Sequence, residues 1–314
     1  MEFRNLGRSG LRVSLVGLGC NNFGGRIDLE ASRKVVHRAL DLGITLLDTA
    51  DVYGNRGGSE TCLGEILGSR RKDVVLATKF AAAMDDAGTL KGASRRYIVS
   101  AVEASLKRLK TDWIDLYQQH STDASTPIEE TLRALDDLVR SGKVRYVGCS
   151  NLAAWRVVEA QWTSREASLN AFVSCQDEYS LVVRGAEKEL MPAMNACGLG
   201  LLPYFPLGSG LLTGKYKRNV AKPEGARLTH TQNLADRYFT DANWAIVERL
   251  EAYCAARGHT LLELAFSWLA AKPLVASVIA GATKPEQLDQ NVKAVGWALT
   301  AAELAEVDAL SAKG

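Results

Sequence analysis

Residues 44–54 read ITLLDTADVYG. The first seven form the apolar run of a strand buried on both faces, yet the run holds Asp48, and Asp51 and Tyr53 follow at once. Aspartate is a poor strand former, and an ionised carboxylate is costly to bury without a partner. A surface turn accounts for Asp48 and Asp51 most simply, so the meaning of the stretch depends on its neighbours. It has seven companions: VSLVGLGC (13–20), DVVLATKF (73–80), WIDLYQQH (113–120), VRYVGCSN (144–151), AFVSCQDEY (171–179), GLLPYFPL (200–207) and VASVIAG (275–281). Between them lie stretches with apolar residues at three-to-four spacing, such as Val35, Val36, Ala39 and Leu40, or Ile98, Val102, Leu106 and Leu109. Several open on Pro, Ser or Asp and close on Gly, as helices do. Eight short strands, each followed by a helix, predict an α/β fold with a parallel sheet. The number eight favours a closed (β/α)8 barrel of TIM type over a doubly wound open sheet.

No Pro-rich or Gly/Ser linker breaks the series, so residues 1–314 are expected to form one barrel domain. The opening FRNLGRSGLRVS (3–14) predicts a hairpin around Gly7 and Gly10 that plugs the barrel bottom. Residues 208–240 are expected to be a long polar loop after the seventh strand, and 260–272 an additional helix before the eighth.

Composition narrows the function. The 314 residues are 47% hydrophobic and 24% charged, enough apolar matter for a sizeable core. A net charge of +2 with no basic block longer than Arg70–Lys72 gives no footprint for nucleic acid or a membrane surface, so the expected partner is a small molecule. The N-terminus carries neither a signal-peptide pattern nor a membrane segment, and cytoplasmic residence is expected. Six scattered cysteines without a C-x-x-C pair are expected to be reduced core residues, and the four histidines pair with none of them at metal-ligand spacing.

In such a barrel the chemistry gathers at the carboxyl ends of the strands. Those ends carry Asn21 and Asn22, Asp48 and Tyr53, Lys79, His120, Ser150 and Asn151, Gln176 and Tyr204. One polar strand end has little meaning; nearly every strand ending this way does. A free phenol has a pKa of about 10 and is a sluggish acid at neutrality unless a cation stabilises its phenolate. Lys79 is placed to be that cation, Asp48 its counter-ion, and His120 a hydrogen-bond partner for a substrate oxygen. Four such groups suit reduction of a carbonyl as hydride arrives from elsewhere.

The motifs LLDTADVYG, LATKF, DLYQQH, VGCSN, YFPLGSGLLTGKY and GATKPEQLDQN together resemble those of the aldo-keto reductases over nearly the whole chain. The resemblance implies a tetrad of Asp48, Tyr53, Lys79 and His120 with Tyr53 as general acid/base, acting on an aldehyde or ketone. It also implies a nicotinamide cofactor across the barrel mouth. Ser150, Asn151 and Gln176 would grip its carboxamide, Tyr204 would stack on the ring, and Leu207, Ser209, Leu211 and Lys215 would surround the pyrophosphate. Phe205 would join the pocket wall with Phe23 and Phe80. Asn291 is a further cofactor-binding candidate, and the segment after the last strand would meet the adenosine 2'-phosphate. There the family members that prefer NADPH often carry Lys and Arg, where this chain has Gly281 and Gln287; Thr283 and Lys284 between them are expected to substitute, keeping NADPH ahead of NADH.

Gly17, Gly19 and Gly24 space as G-x-G-x-x-x-x-G, which is not the dinucleotide-fold fingerprint. Asp51 is expected to be a turn residue. His37, His230 and His259 are expected at the surface, and Trp155, Trp162, Trp244 and Trp268 in helix packing. A cofactor-sensing regulator resembling the potassium-channel β-subunits is the competing expectation. Those regulators have asparagine at the position of His120.

Overall fold

The computed structural model describes residues 1–312. Its first element is an antiparallel hairpin of β1 (Phe3–Asn5) and β2 (Arg12–Ser14). Eight parallel strands follow: β3 (Val16–Gly19), β4 (Leu46–Asp48), β5 (Val75–Phe80), β6 (Ile114–Gln119), β7 (Val144–Ser150), β8 (Ser174–Glu178), β9 (Gly200–Tyr204) and β10 (Val278–Gly281). From β3 to β9 each pairs with the next in chain order, and β10 returns to pair with β3. Leu201 of β9 donates to Leu274 O at 2.7 Å and accepts from Ala276 N at 3.0 Å, which brings the remaining edges together. The fold is a (β/α)8 barrel, as the alternation of runs and helices predicts.

The double-sided apolarity of the runs has a direct explanation. Leu47, Leu76, Leu201 and Val278 face the surrounding helices, whereas Leu46, Ala77, Leu116, Leu202 and Ile279 meet inside the barrel. Leu6 and Val13 of the hairpin, both fully buried, join that inner cluster and close the bottom. Because strand side chains alternate, the inner set continues two residues on, one step nearer the carboxyl end. Leu46 is followed by Asp48, Ala77 by Lys79, and Leu116 by Gln118 and then His120. A polar layer therefore lies on an apolar floor.

The segment 208–240 is not the polar loop expected. It contains a tight turn at Gly208–Thr213 and helices Arg227–His230 and Gln232–Tyr238. Leu211, Leu212, Tyr216, Leu228 and Tyr238 anchor it in the core, and Leu228 N donates to Tyr216 Oη at 3.0 Å. The additional helix before the last strand is present as Leu261–Ala270, opened by a Thr260–Glu263 capping box. The tryptophans divide. Trp244 and Trp268 are buried, but Trp155 and Trp162 are 66% and 63% exposed. The helix Ala154–Glu166 buries Val157, Ala160 and Ser164, and the two tryptophans, seven residues apart, share the opposite face beside Arg156 and Arg165.

Candidate active site

A cleft of about 870 Å³ opens at the carboxyl ends of the barrel strands, within the usual range for small-molecule sites. Asp48, Tyr53, His120, Ser150, Asn151, Gln176, Tyr204, Phe205, Leu207, Ser209, Lys215, Gly281, Thr283, Lys284, Gln287 and Asn291 line it. Four of the candidates singled out from the sequence do not. Lys79 is fully buried behind Asp48 and Tyr53. Leu211 packs in the core, because the turn at Gly208–Thr213 gives the cleft Ser209, with φ 56°, and sends Leu211 and Leu212 inward. Phe23 and Phe80 are also core residues, so of the three proposed wall phenylalanines only Phe205 reaches the cleft.

Asp48 is the hub. Its Oδ2 accepts from Lys79 Nζ at 2.7 Å, and its Oδ1 accepts from Gln176 Nε2 at 2.8 Å and Gln118 Nε2 at 3.2 Å. Lys79 Nζ also donates to Thr49 O at 2.9 Å and lies 5.0 Å from the centre of the Tyr53 ring. Burial opposes the ammonium charge, but Asp48 and Tyr53 more than offset it, and the lysine holds its proton more tightly than usual. Gln118 escaped the sequence reading. Its place two residues beyond Leu116 was the available signal.

Tyr53 opens the helix Tyr53–Leu67, whose first turn is left-handed at Gly54, Asn55 and Arg56. Burial pushes its phenol above the usual value, with Lys79 pulling the other way. The expectation of an acidified phenol thus fails in direction: desolvation outweighs the cation. His120 meets the Tyr53 ring edge-on at 5.6 Å. Burial first, then the Lys79 charge, lowers its pKa to about 3, so the imidazole is neutral, and its Nδ1 is buried without a hydrogen-bond partner.

Asp51 does lie in a turn, but it is only 1% exposed, and neither carboxyl oxygen has a hydrogen-bond partner. Burial, then the neighbouring Glu60, raises its pKa to about 8, against a weaker downward pull from the Val52 N–H, Arg108 and Lys79.

On the far wall, Ser150 Oγ donates to Gln176 O at 2.7 Å, and Asn151 Nδ2 donates to His120 O at 3.0 Å and Ser150 Oγ at 2.9 Å. Tyr204 Oη donates to Asn151 Oδ1 at 2.8 Å. At the other end, Gln287 Oε1 accepts from the backbone N–H of Thr283 at 2.8 Å and of Lys284 at 3.3 Å. Two cleft cations were missed in the sequence because neither stands at a strand end: Arg26 lies in the loop after β3 and Arg227 opens the short helix Arg227–His230. Arg26 donates to Gly225 O at 2.8 Å, and Arg227 lies over the Phe205 ring at 5.1 Å. With Lys215 and Lys284 they make four cations in the cleft that pair with no carboxylate among the described residues. Burial, then Arg26, lowers the pKa of both Lys215 and Arg227.

The profile described as Aldo/keto reductase family matches residues 15–312. The chain belongs to the aldo/keto reductase family. Relatives of the chain include the uncharacterized oxidoreductase YrpG of Bacillus subtilis (strain 168), 38% identical over 94% of this chain and 91% of its own length. The L-glyceraldehyde 3-phosphate reductase of Escherichia coli (strain K12) is 34% identical over 100% of this chain and 93% of its own. A probable voltage-gated potassium channel subunit beta of Oryza sativa subsp. japonica is 38% identical over 94% and 91%. Membership and the oxidoreductase relatives support an oxidoreductase. No helix among the described residues is long and apolar enough to cross a membrane.

Proposed function

We propose that this aldo/keto reductase is an NADPH-dependent enzyme that reduces aldehyde or ketone carbonyls to alcohols, with Tyr53 as general acid. The reading rests chiefly on one observation: Lys79, fully buried, is held between the Asp48 carboxylate and the Tyr53 ring, while Tyr53 and His120 meet at the cleft wall. The nicotinamide, when bound, supplies hydride to the carbonyl carbon. Tyr53 Oη then gives its proton to the carbonyl oxygen, where charge develops. A phenol that stays protonated is suited to this, since an alkoxide is a far stronger base than a phenolate. Lys79 stabilises the phenolate left behind, and Asp48 keeps the lysine charged. His120, neutral, hydrogen-bonds the substrate oxygen and orients it.

The donor set supports the cofactor. Ser150, Asn151 and Gln176 offer the mixed donors and acceptors that a carboxamide takes, and Tyr204 offers an aromatic face. Arg26, Lys215 and Arg227 suit phosphate groups, and Ser209 Oγ is buried with no hydrogen-bond partner of its own. Lys284 lines the cleft, which favours NADPH over NADH. The E. coli relative acts, by its name, on a phosphorylated aldehyde, which makes small polar aldehydes the first substrates to try. The proposal takes residues 1–314 as one barrel domain working in the cytoplasm; six free cysteines, five of them buried, support that location.

NADPH oxidation followed across aldehydes, ketones and sugars, with NADH in parallel, tests the proposal. Tyr53→Phe is expected to lower kcat/KM by about 10²–10⁴-fold while the NADPH dissociation constant changes little. Full activity in that variant rejects the mechanism. NADPH binding with no turnover on any carbonyl favours the competing reading, a cofactor-sensing regulator; one relative is named a probable voltage-gated potassium channel subunit beta.

A further inference from the structure

Asp51 stands two residues before Tyr53, and its backbone N–H donates to Lys79 O at 3.1 Å, so its turn is fastened to the strand that carries the lysine. The groups that face it come from the elements around it: Lys79 from β5, Tyr117 from β6, Tyr53 and Glu60 from the helix Tyr53–Leu67, and Tyr97 and Arg108 from the helix Arg95–Leu109. Counting ions decides its state. The cations are Lys79 and Arg108. Lys79 is paired with Asp48 at 2.7 Å, and Arg108 Nε with Glu60 at 2.7 Å, while Glu60 also accepts from Thr78 Oγ1 at 2.6 Å. No cation remains for a third carboxylate. Asp51 makes no well-formed hydrogen bond through either oxygen, with only partial support from the neighbouring Val52 N–H, and Tyr117 Oη, also buried, has no partner. A buried carboxylate without partner or counter-ion is not stable.

We propose that Asp51 is a positioning residue for the reduction: it must stay uncharged for Tyr53 to release its proton. The inference rests on the reductase reading above. In the reduction the carbonyl carbon gains hydride, the carbonyl oxygen takes the Tyr53 proton as the phenolic O–H bond breaks, and a phenolate remains that shares the Lys79 charge with Asp48. With Asp51 neutral, that is one anion in excess of the cations. With Asp51 ionised it is two, and the proton stays on the phenol. An acid that ionises at about 8 makes this an alkaline limit on the reduction.

The test is the pH dependence of NADPH-driven reduction between pH 6 and 9.5 in wild type, Asp51→Asn and Asp51→Ser. Wild-type kcat is expected to fall at least fivefold, in rough terms, between pH 7 and 9, while both neutral variants stay within about twofold, because neither has a proton there to lose. A decline of equal depth in the variants, or none in the wild type, overturns the proposal. A second readout needs no turnover. The folded chain keeps the Asp51 proton to about 8, whereas the unfolded chain releases it near 3.8, so wild-type stability falls as pH rises between those values. The melting temperature of Asp51→Asn relative to wild type is expected to rise by about 3 °C or more from pH 5 to pH 8. A difference that does not change with pH overturns the proposal. Activity retained in Tyr53→Phe would instead remove the reading beneath it, and the melting data would stand apart from that failure.

Discussion

At the scale of single residues, Lys79 has the most at stake. Its side chain is fully buried against a carboxylate that is 5% exposed, so removing the cation leaves Asp48 charged and desolvated. Breaking a buried pair from one side costs about 3–5 kcal/mol. Lys79→Met is therefore expected to lose stability by that order in urea titration. Adding Asp48→Asn is expected to restore part of it, because the uncompensated charge is gone, while turnover stays absent. His120 gives a second residue-scale expectation. Its folded-state pKa is depressed to about 3 against a usual 6.5, so the unfolded chain binds a proton in that window and the folded chain does not. Stability contributed by the neutral imidazole is complete above pH 6.5 and is lost as pH falls toward 3. Denaturant titrations of wild type and His120→Asn from pH 7 to 4 are expected to show a shallower acid slope in the variant. An unchanged slope would mean that the histidine titrates normally.

At the scale of elements, the strands were legible and the loops were not. An apolar run with Asp48, Lys79 or His120 at its end carries its own parity: the polar residue lies on the face of the inner apolar residue two or, for His120, four positions before it. Gln118 obeyed the same parity and was passed over because a neutral amide raises no electrostatic alarm. The segment 208–240 looked polar because its anchors, Leu211, Leu212, Tyr216, Leu228 and Tyr238, are scattered without a helical or strand period. Asn151, Phe205 and Ser209 hold left-handed backbone at φ 57°, 48° and 56°, a conformation that only tertiary contacts impose on such residues. The cations Arg26, in a loop, and Arg227, at the start of a short helix, are far apart in sequence, and only the fold brings them to one cleft. Arg227 has no ion-pair partner among the described residues and is free to meet a phosphate. Arg227→Met is expected to weaken NADPH binding about tenfold and to flatten its salt dependence, read by fluorescence titration at low and high ionic strength.

At the scale of the whole molecule, the barrel separates what holds it together from what it does. The hairpin at the bottom buries Leu6 and Val13 against the inner cluster, and the tetrad lies at the opposite, carboxyl end of the same strands. Gly7 is where this separation is sharpest. It holds φ +60°, and a Cβ there would lie 2.6 Å from Gly198 O and 2.7 Å from Val173 O, both backbone atoms that cannot step aside. Leu6 N donates to Leu11 O at 2.8 Å and Arg8 N to Gly198 O at 2.9 Å, so the turn is fixed on both flanks. Alanine at this position faces left-handed strain and a steric clash together, a loss of about 2–3 kcal/mol. Gly7→Ala is expected to show that loss in urea titration while kcat and KM for carbonyl reduction at 25 °C remain those of the wild type, because no displaced atom belongs to the Asp48 network. A changed kcat would mean that the apolar floor transmits the strain of the hairpin to the polar layer above it, and that the two ends of the barrel are mechanically one.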